Sequence, residues 1–273
     1  MKIKDILNKD ITNEQKLALG QVLNLSIPEL ILNKDEEIIN KDYKKYKKIE
    51  KKLNKGLPIQ YIFKKAYFYS DEYYVNKNVL IPRPETEVLV EKTYKLIKNE
   101  FKNQKINILD IGTGSGIIAL TLYKLNNSNS ITATDISKKA LKVAKKNQKK
   151  HNTNIKFIKT DLYKGISDKF DVIISNPPYI KNNSKQVEKK VIENEPHIAL
   201  FGGKEGLDYY ERILKNIRQI IKEKHIIAFE IGENQGKRIR KIVNKYLPND
   251  KVKIEKDYNG LERYVFAINK QNE

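Results

Sequence analysis

Three alternating glycines stand in the segment Asp110-Ile-Gly-Thr-Gly-Ser-Gly116, directly after an apolar run and directly before a helical pattern. Glycine lets the backbone turn sharply and approach a ligand closely, and the first turn of a helix offers N–H groups without intrahelical partners. The segment lacks the Lys-Ser/Thr ending of phosphate-binding loops, and its glycine spacing departs from the dinucleotide-binding fingerprint. By itself it therefore indicates only a nucleotide-type site.

Two carboxylates follow later apolar runs. Asp135 ends the next predicted strand, near the distance at which an acidic residue meets ribose hydroxyls in doubly wound folds, and Asp161 ends the third. Either one could merely cap the helix after it, since Asp is a favoured N-cap residue. Together with the glycine loop, however, they favour one ligand pocket at the carboxyl edge of a parallel sheet.

The segment Ser175-Asn-Pro-Pro-Tyr179 follows the predicted strand Val172–Ile174. The two prolines hold the chain extended and remove two backbone donors, which leaves rigid acceptors facing outward. The Asn176 side-chain oxygen and the Pro177 carbonyl could accept both hydrogens of an NH2 group, while Tyr179 packs over its plane. The nitrogen lone pair would then face an electrophile. The alternative is a rigid turn that carries a surface tyrosine.

The elements that must position these residues alternate between strand and helix, which indicates an α/β fold with a doubly wound, mostly parallel sheet. The β-rich runs are Ile108–Ile111, Ile131–Thr134, Ile155–Ile158, Val172–Ile174 and Ile226–Phe229. The helical patterns are Ile117–Leu125, Ser137–Lys150, Leu207–Lys222 and Gln235–Tyr246. A terminal antiparallel hairpin is predicted from Lys253–Glu255 through Asn259-Gly260 to Arg263–Ile268.

From Lys2 to about Lys55 the sequence has no strong strand pattern, and residues 1–65 are predicted to form a small helical domain. Tyr43, Tyr46, Ile49 and Leu53 recur at three- and four-residue steps within Asp42–Lys55, as in an amphipathic helix. Thr12, followed by Glu14 and Gln15, and the segment Ser26-Ile-Pro fit helix starts.

Between Gly56 and Arg83 the sequence changes to aromatic and β-branched runs at Tyr61–Phe63, Tyr67–Tyr69 and Tyr73–Val75. A turn at Ser70-Asp71 or at Asn76–Asn78 would make a hairpin. We therefore predict a β-hairpin linker over residues 66–80 and a catalytic domain over 81–273. That domain is expected to open with a helix at Glu85–Lys98, after prolines 82 and 84.

Composition limits the chemistry. The 273 residues contain no cysteine and three scattered histidines, so disulfides, a cysteine nucleophile and a histidine-built metal site are not expected, and the chemistry should be metal-free. The amino terminus does not resemble a signal or transit peptide, and no apolar run is long enough to span a bilayer. We expect a cytoplasmic protein that does not act at a membrane.

The formal net charge of +20 could indicate a nucleic-acid partner, because clustered Lys and Arg neutralise phosphates. The lysines are spread over every segment alongside abundant Asn and Ile, however, which suits a coding bias toward A and T. We therefore expect mainly solvated lysine-rich faces, and no stable nucleic-acid partner is required.

These motifs resemble those of class I S-adenosylmethionine methyltransferases, and in particular the HemK/PrmC family. The similar segments are Pro58–Tyr61, Val79–Glu87, Ser175–Ile180, Glu195–Leu200, Gly206–Tyr210, Glu230–Gln235 and Asp257–Arg263, so the resemblance runs from about residue 56 to 268. It implies methyl transfer from S-adenosyl-L-methionine to the glutamine of the Gly-Gly-Gln loop of peptide-chain release factors. A monomer with release factors as its partners is expected.

The resemblance also implies a role for each matched position. The methionine part of the cofactor would be lined by Gly112, Thr113, Gly114, Ser115 and Gly116. Asp135 would meet the ribose, Asp161 with Leu162 the adenine, and Asn176 would reach the cofactor as well. The substrate glutamine would be held by Asn176, Pro177, Pro178 and Tyr179. Leu162 replaces the aromatic residue that is common beside the adenine, a gap that Tyr163 could fill.

Two other classes of function are consistent with parts of the sequence. A methyltransferase acting on the exocyclic amino group of a DNA or RNA base would share the glycine loop and the Asn-Pro-Pro-Tyr segment, and would flip the base out to reach it. A second recognition domain for nucleic acid is not evident, and Ile81–Glu87 matches the protein-modifying family. A non-enzymatic basic nucleic-acid-binding module would leave Asn176–Tyr179 unexplained.

Overall fold

The computed structural model describes residues 1–102, 104–184 and 187–269, so the last four residues of the predicted catalytic domain lie outside the described part. Its helices are α1 (Lys4–Leu7), α2 (Asn13–Leu23), α3 (Ile27–Leu32), α4 (Asn40–Leu53), α5 (Ile59–Phe63), α6 (Pro84–Phe101), α7 (Ile117–Leu125), α8 (Lys138–His151), α9 (Lys189–Asn194), α10 (Asp208–Leu214) and α11 (Gly236–Tyr246). Its strands are β1 (Lys65–Phe68), β2 (Asp71–Tyr74), β3 (Asn107–Ile111), β4 (Ser130–Asp135), β5 (Lys156–Lys159), β6 (Phe170–Ser175), β7 (Ile221–Glu230), β8 (Lys251–Lys256) and β9 (Glu262–Asn269).

The chain divides into two compact units, one formed by Met1–Lys65 with Lys189–Asn194 and the other by Ala66–Glu188 with Glu195–Glu273. The later segment α9 joins the first unit through polar contacts. Lys190 Nζ lies 2.7 Å from both carboxylate oxygens of Glu14, and Asn194 Nδ2 donates to the Gly56 carbonyl at 3.1 Å. The first unit is therefore built from two separate stretches of sequence.

Helices α2 and α3 of the first unit begin where the sequence provides capping side chains. The Thr12 hydroxyl accepts from the Gln15 backbone N–H while the Gln15 side chain accepts from the Thr12 N–H, and Ser26 with Glu29 repeats this capping box before α3. Helix α4 buries Tyr46, Ile49 and Leu53 on one face, as its three- and four-residue spacing predicted.

The aromatic run at Tyr61–Phe63 was expected to be extended, but it lies in helix α5. Pro58 occupies the N-cap of this helix, and its carbonyl accepts from the Tyr61 N–H at 3.0 Å. Five residues are too few to show a helical period, so composition alone favoured the wrong conformation. The hairpin itself follows as β1 and β2, with Tyr69 and Ser70 both at positive φ in the turn between them.

The second unit contains a seven-stranded sheet in the order β5-β4-β3-β6-β7-β9-β8. The first five strands in this order are parallel, and β9 runs antiparallel to both β7 and β8. Successive residues of β3 enter opposite cores, with Ile108 packed on one face of the sheet and Leu109 on the other. The doubly wound α/β sheet with a terminal antiparallel hairpin is the fold that the sequence predicted.

The register of the central strands decides what meets at their carboxyl ends. Asp110 of β3 lies opposite Ala133 of β4 and Ile174 of β6. The connections from β3 lead outward in one direction, to β4 and β5, whereas those from β6 lead outward in the other, to β7. This is a topological switch point, where open α/β sheets bind ligands.

The helix predicted over Leu207–Lys222 is wrong in its second half. Helix α10 ends at Leu214, a short 3₁₀ turn covers Ile217–Gln219, and strand β7 begins at Ile221. The Phe170 N–H donates to the Ile220 carbonyl at 2.8 Å, which extends the pairing of β6 with β7 back to Ile221. Pairing with a distant strand therefore overrides the local helical pattern.

Among the described residues, none of the helices combines the length and the apolar character that a membrane crossing requires.

Candidate active site

A cavity of about 200 Å³ opens at the carboxyl ends of β3, β4 and β6. Of the residues predicted to form a site, those that line it are Gly112, Thr113, Gly114, Ser115, Asp135, Asp161, Leu162, Asn176, Pro177 and Pro178. Gly116 and Tyr179 do not belong to the lining. The structure therefore brings together residues from four separate loops in one cavity.

The three glycines of the loop after β3 have different surroundings. All have positive φ, at 75° for Gly112, 56° for Gly114 and 86° for Gly116. A Cβ built on Gly112 or Gly114 would meet no atom within 4 Å, whereas a Cβ on Gly116 would lie 3.1 Å from the Ala144 Cβ. The first two glycines thus leave the backbone open to the cavity, and Gly116 allows α7 to pack against α8.

Asp135 holds the glycine loop in place. Its Oδ2 accepts from the Gly114 backbone N–H at 2.9 Å, and its Oδ1 accepts from the Ser137 N–H at 2.7 Å. Helix α8 is capped by the Ser137 hydroxyl, which accepts from the Ala140 N–H, so Asp135 is not the cap of this helix. Burial raises the pKa of Asp135, and these two backbone hydrogen bonds oppose that rise.

Asp110 lies beneath the loop and is completely buried. Its Oδ2 accepts a 2.6 Å hydrogen bond from the Thr113 hydroxyl, and burial raises its pKa to about 7. The hydroxyl of Thr134, whose residue also lines the cavity, is buried without a hydrogen-bond partner in the protein. A polar ligand could satisfy this atom.

The far end of the cavity contains Asp161 and Leu162. Both Asp161 carboxylate oxygens accept from Arg212 Nη2, at 2.7 and 2.8 Å. Tyr163 does not line the cavity, because its hydroxyl donates to the Ile213 carbonyl at 2.8 Å and its ring packs into the core on that side. The aromatic residue that does line this end is Tyr209, whose ring lies 5.4 Å below the Arg212 guanidinium.

Asn176 lines the cavity from the loop after β6, and a hydrogen bond to Thr86 holds its side chain in place. Its Nδ2 donates to the Thr86 hydroxyl oxygen at 3.0 Å, and Thr86 in turn donates to Glu230 Oε2 at 2.6 Å. The Tyr179 hydroxyl donates to the other oxygen of Glu230 at 3.3 Å. One buried carboxylate thus supports both ends of the Asn-Pro-Pro-Tyr segment.

Two glycines allow this segment to pack closely against its neighbours. A Cβ on Gly202 would lie 2.2 Å from the Pro178 carbonyl oxygen, and one on Gly206 would lie 2.2 Å from that of Tyr179. The Gln235 side chain donates to the Tyr179 carbonyl at 3.0 Å. The path of the backbone after Asn176 is therefore fixed by steric contact as well as by its prolines.

The edge of the cavity beside the Ile81–Glu87 stretch is held by Glu195, which is 5% exposed. Its carboxylate accepts from the Ile81 N–H at 2.9 Å and from the Arg83 guanidinium at 2.5 Å. Sequence reasoning assigned no role to Glu195, Thr86 or Glu230. All three lie in segments that carry the family resemblance, and their position in these segments could have identified them.

Comparison with known proteins agrees with this geometry. Residues 86–204 match the family described as "Methyltransferase small domain". The chain is 40% identical over 251 residues to the release factor glutamine methyltransferase of Streptococcus pneumoniae, covering 91% of this chain and 88% of the relative. It is 36% identical over 259 residues to that of Bacillus cereus, covering 93% and 92%.

The fold resembles that of a T. thermophilus 16S rRNA N2 G1207 methyltransferase solved with AdoMet and guanosine. The TM-score is 0.54 at 12% identity, covering 76% of this chain and 50% of that one. This likeness identifies the sheet as a class I methyltransferase fold. Because curated relatives match along nearly their whole length, the resemblance inferred from the motifs is confirmed, and the chain belongs to the release factor glutamine methyltransferase family.

Proposed function

We propose that this chain transfers a methyl group from S-adenosyl-L-methionine to the side-chain amide nitrogen of the glutamine in the Gly-Gly-Gln loop of peptide-chain release factors. The observation that carries the proposal is the position of Asn176 at the edge of the glycine-loop cavity. Its Nδ2 is already engaged by Thr86, so its oxygen remains to accept from a substrate N–H. The name of the family to which the chain belongs, release factor glutamine methyltransferase, specifies this class of substrate.

The residues of the cavity fit the proposed cofactor. Gly112 and Gly114 leave room for close approach, the Thr134 hydroxyl lacks a partner, and the Asp135 carboxylate lies at the base of the loop. The methionine part would be held by the residues between Gly112 and Ser115, the ribose by Asp135, and the adenine beside Asp161 and Leu162. When bound, the cofactor would supply a methyl group already activated on a sulfonium: the C–S bond would break as the C–N bond forms, the neutral thioether would leave, and one proton of the amide nitrogen would pass to solvent.

The protein then has to position the acceptor nitrogen. An amide nitrogen is a poor nucleophile because its lone pair is delocalised. Asn176 Oδ1 and the Pro177 carbonyl accept its two hydrogens, which favours a pyramidal nitrogen and directs the lone pair at the methyl group. Alignment of this kind can lower a barrier by roughly 7–11 kcal/mol in favourable systems.

Tyr179 was predicted to pack over the plane of the substrate amide. Its hydroxyl is engaged by Glu230 and its ring does not line the cavity, so we propose that it holds the loop in place beside the substrate. The variants Tyr179→Phe and Tyr179→Ala separate the contribution of the hydroxyl from that of the ring.

We propose further that the helical unit at the amino terminus docks the release factor, that the chain acts as a monomer in the cytoplasm, and that it needs no stable nucleic-acid partner. The basic residues are mainly lysines spread along the whole sequence, which supports a generally basic surface more than a defined nucleic-acid site.

The test is transfer of labelled methyl from S-adenosylmethionine to an intact release factor, followed by peptide mapping. Label is expected on the glutamine of the Gly-Gly-Gln loop and should be absent from a release factor with that glutamine replaced by glutamate. Parallel reactions contain ribosomal RNA and DNA. Label in nucleic acid alone would replace the proposal with methylation of a base amino group.

A further inference from the structure

Thr86 lies between the proposed substrate-binding amide and a buried carboxylate. Its hydroxyl oxygen is 3.0 Å from Asn176 Nδ2 and 2.6 Å from Glu230 Oε2. Thr86 is 2% exposed and Glu230 1% exposed, so water does not compete for either contact. Thr86 is on the first turn of α6, Asn176 follows β6 and Glu230 ends β7, so three elements converge here.

The number of available hydrogens determines the direction of the hydrogen bonds that link Asn176, Thr86 and Glu230. A hydroxyl has one hydrogen, and an ionised carboxylate can only accept. Thr86 therefore gives its hydrogen to Glu230 and must accept from Asn176, which requires the NH2 end of the Asn176 amide. The oxygen of that amide is then left for the cavity. Without the hydroxyl, the amide could turn over and present NH2 to the substrate instead.

We infer that Thr86 and Glu230 are positioning residues for methyl transfer, because together they fix the orientation of the Asn176 amide. This inference rests on the proposed function. An oxygen facing the cavity matches the N–H of a glutamine side chain and repels the carboxylate of a glutamate. The pair thus contributes to the rate and to the choice of an amide over an acid.

Glu230 also accepts from the Tyr179 hydroxyl at 3.3 Å, and the Arg263 guanidinium, which donates to the neighbouring Ile231 carbonyl at 3.3 Å, interacts with it electrostatically. Tyr179 and Arg263 therefore help to keep the carboxylate fixed. Because Thr86 contacts only one oxygen of Glu230, its hydroxyl can be removed while the support for Tyr179 remains.

The test compares Thr86→Val, which keeps the shape and removes the hydroxyl, with Thr86→Ser, which keeps the hydroxyl. Single-turnover methyl transfer to a Gly-Gly-Gln peptide is measured at saturating cofactor, above the pKa of about 7 to which burial raises Glu230. We expect a fall of roughly tenfold or more in Thr86→Val, a rate near wild type in Thr86→Ser, and unchanged cofactor affinity in both.

Two further measurements separate positioning from a purely structural role. In an Asn176→Ala background, Thr86→Val should lower the rate of methyl transfer little further, because the amide that Thr86 orients is already absent. Binding of the Gly-Gly-Gln peptide relative to a Gly-Gly-Glu peptide, measured with a non-reactive cofactor analogue, should lose discrimination by roughly fivefold or more in Thr86→Val. A structural role would predict neither result.

A Thr86→Val protein that folds, transfers methyl at the wild-type rate and still discriminates the two peptides would overturn the inference. If Thr86→Val does not fold, Glu230→Gln is tested instead. A glutamine side chain can donate as well as accept, so it no longer determines the direction of the hydrogen bonds through Thr86 to Asn176. A wild-type rate and unchanged peptide discrimination in Glu230→Gln would also overturn the inference. A wild-type protein that methylates only nucleic acid would instead refute the proposed function.

Discussion

At the scale of single residues, the two cavity carboxylates that looked alike in sequence have different surroundings. Asp135 is bonded to two backbone N–H groups of the loops around it, whereas Asp161 is half exposed and paired with Arg212. Water and salt screen the charge of an exposed carboxylate more strongly than that of a more buried one. We therefore expect Asp135 to contribute more to ligand binding than Asp161.

Asp135→Ala should weaken S-adenosylmethionine binding by about 10- to 100-fold, because a charged acceptor worth roughly 1.5–3 kcal/mol is lost. Isothermal calorimetry measures the change. Asp168→Ala is the matched control, since Asp168 pairs with Lys156 away from the cavity. Unchanged affinity in a folded Asp135→Ala protein would mean that this carboxylate only supports the glycine loop.

Asn176→Ala should keep the thermal transition and most of the cofactor affinity but lose methyl transfer by roughly 100-fold or more, because the acceptor nitrogen is no longer held in line. Tyr179→Phe should be milder than Tyr179→Ala, since only the bond to Glu230 is lost. Single-turnover assays at saturating cofactor measure both effects. Near wild-type transfer by Asn176→Ala would make the loop a structural feature only.

Glu230 should make stability depend on pH. Burial raises its pKa from 4.5 to about 7, with Thr86, Arg263 and Tyr179 opposing the rise. Between these two values the folded protein keeps a proton that the unfolded chain has released. The free energy of unfolding should therefore fall as pH rises from about 4.5 to 7, by an amount on the order of 3 kcal/mol, and level off above pH 7.

Chemical denaturation of wild type and Glu230→Gln across this pH range measures the effect. The variant should show a smaller slope, and the remaining slope should be reduced by Asp110→Asn, because burial raises the pKa of Asp110 to about 7 as well. An identical slope in wild type and Glu230→Gln would show that Glu230 does not hold the extra proton.

At the scale of elements, the loop between β3 and α7 combines a positive-φ backbone with empty space where a side chain would lie. Gly114 has φ +56° and Gly165, in an exposed turn, has φ +77°, and a Cβ on either would meet nothing within 4 Å. Both positions carry the same backbone requirement. Only Gly114 lines the cavity.

Gly114→Ala and Gly165→Ala should therefore destabilise the protein alike, by roughly 1–2 kcal/mol, because alanine is disfavoured at positive φ. Only Gly114→Ala should also lose cofactor affinity, since its methyl group enters the cavity. Denaturation curves and calorimetry provide the two measurements. Equal cofactor affinity in both variants would remove the glycine loop from the binding site.

At the scale of the whole molecule, the net charge of +20 should oppose compactness through self-repulsion. Salt shortens the range of this repulsion, with a Debye length of about 10 Å at 0.1 M. The melting temperature should therefore rise by about 2–4 °C between low and physiological ionic strength, as roughly 1 kcal/mol produces in a protein of this size.

Replacing the exposed Lys138, Lys142 and Lys145 of α8 with glutamate should reduce this salt response, because it lowers the net charge without touching the core. Differential scanning calorimetry in a series of NaCl concentrations measures both proteins. A melting temperature that falls as salt is added would mean that the ion pairs of the surface outweigh its repulsion.

The sequence by itself determined the features that depend on local pattern. The strand runs, the glycine loop and the terminal hairpin follow from spacing and composition over a few residues, so β3, β4, β6 and α7 lie where they were predicted. The Asn-Pro-Pro-Tyr segment was identified because two prolines restrict their own backbone and the preceding residue. Asp135 and Asn176 could be placed at one sheet edge before any contact was known, because each directly follows a predicted strand of a parallel sheet.

Only the tertiary structure decided which side chains meet. Thr86 and Glu230 are 144 positions apart, and Ile81 and Glu195 are 114 apart, yet each pair is joined by a buried hydrogen bond. No local period encodes such partners; the first pair, for example, depends on how α6 packs against the end of β7. The early end of α10 has the same origin: Ile221 pairs with Phe170 of β6, and the hydrogen bonds of that sheet outweigh the helical preference of the segment.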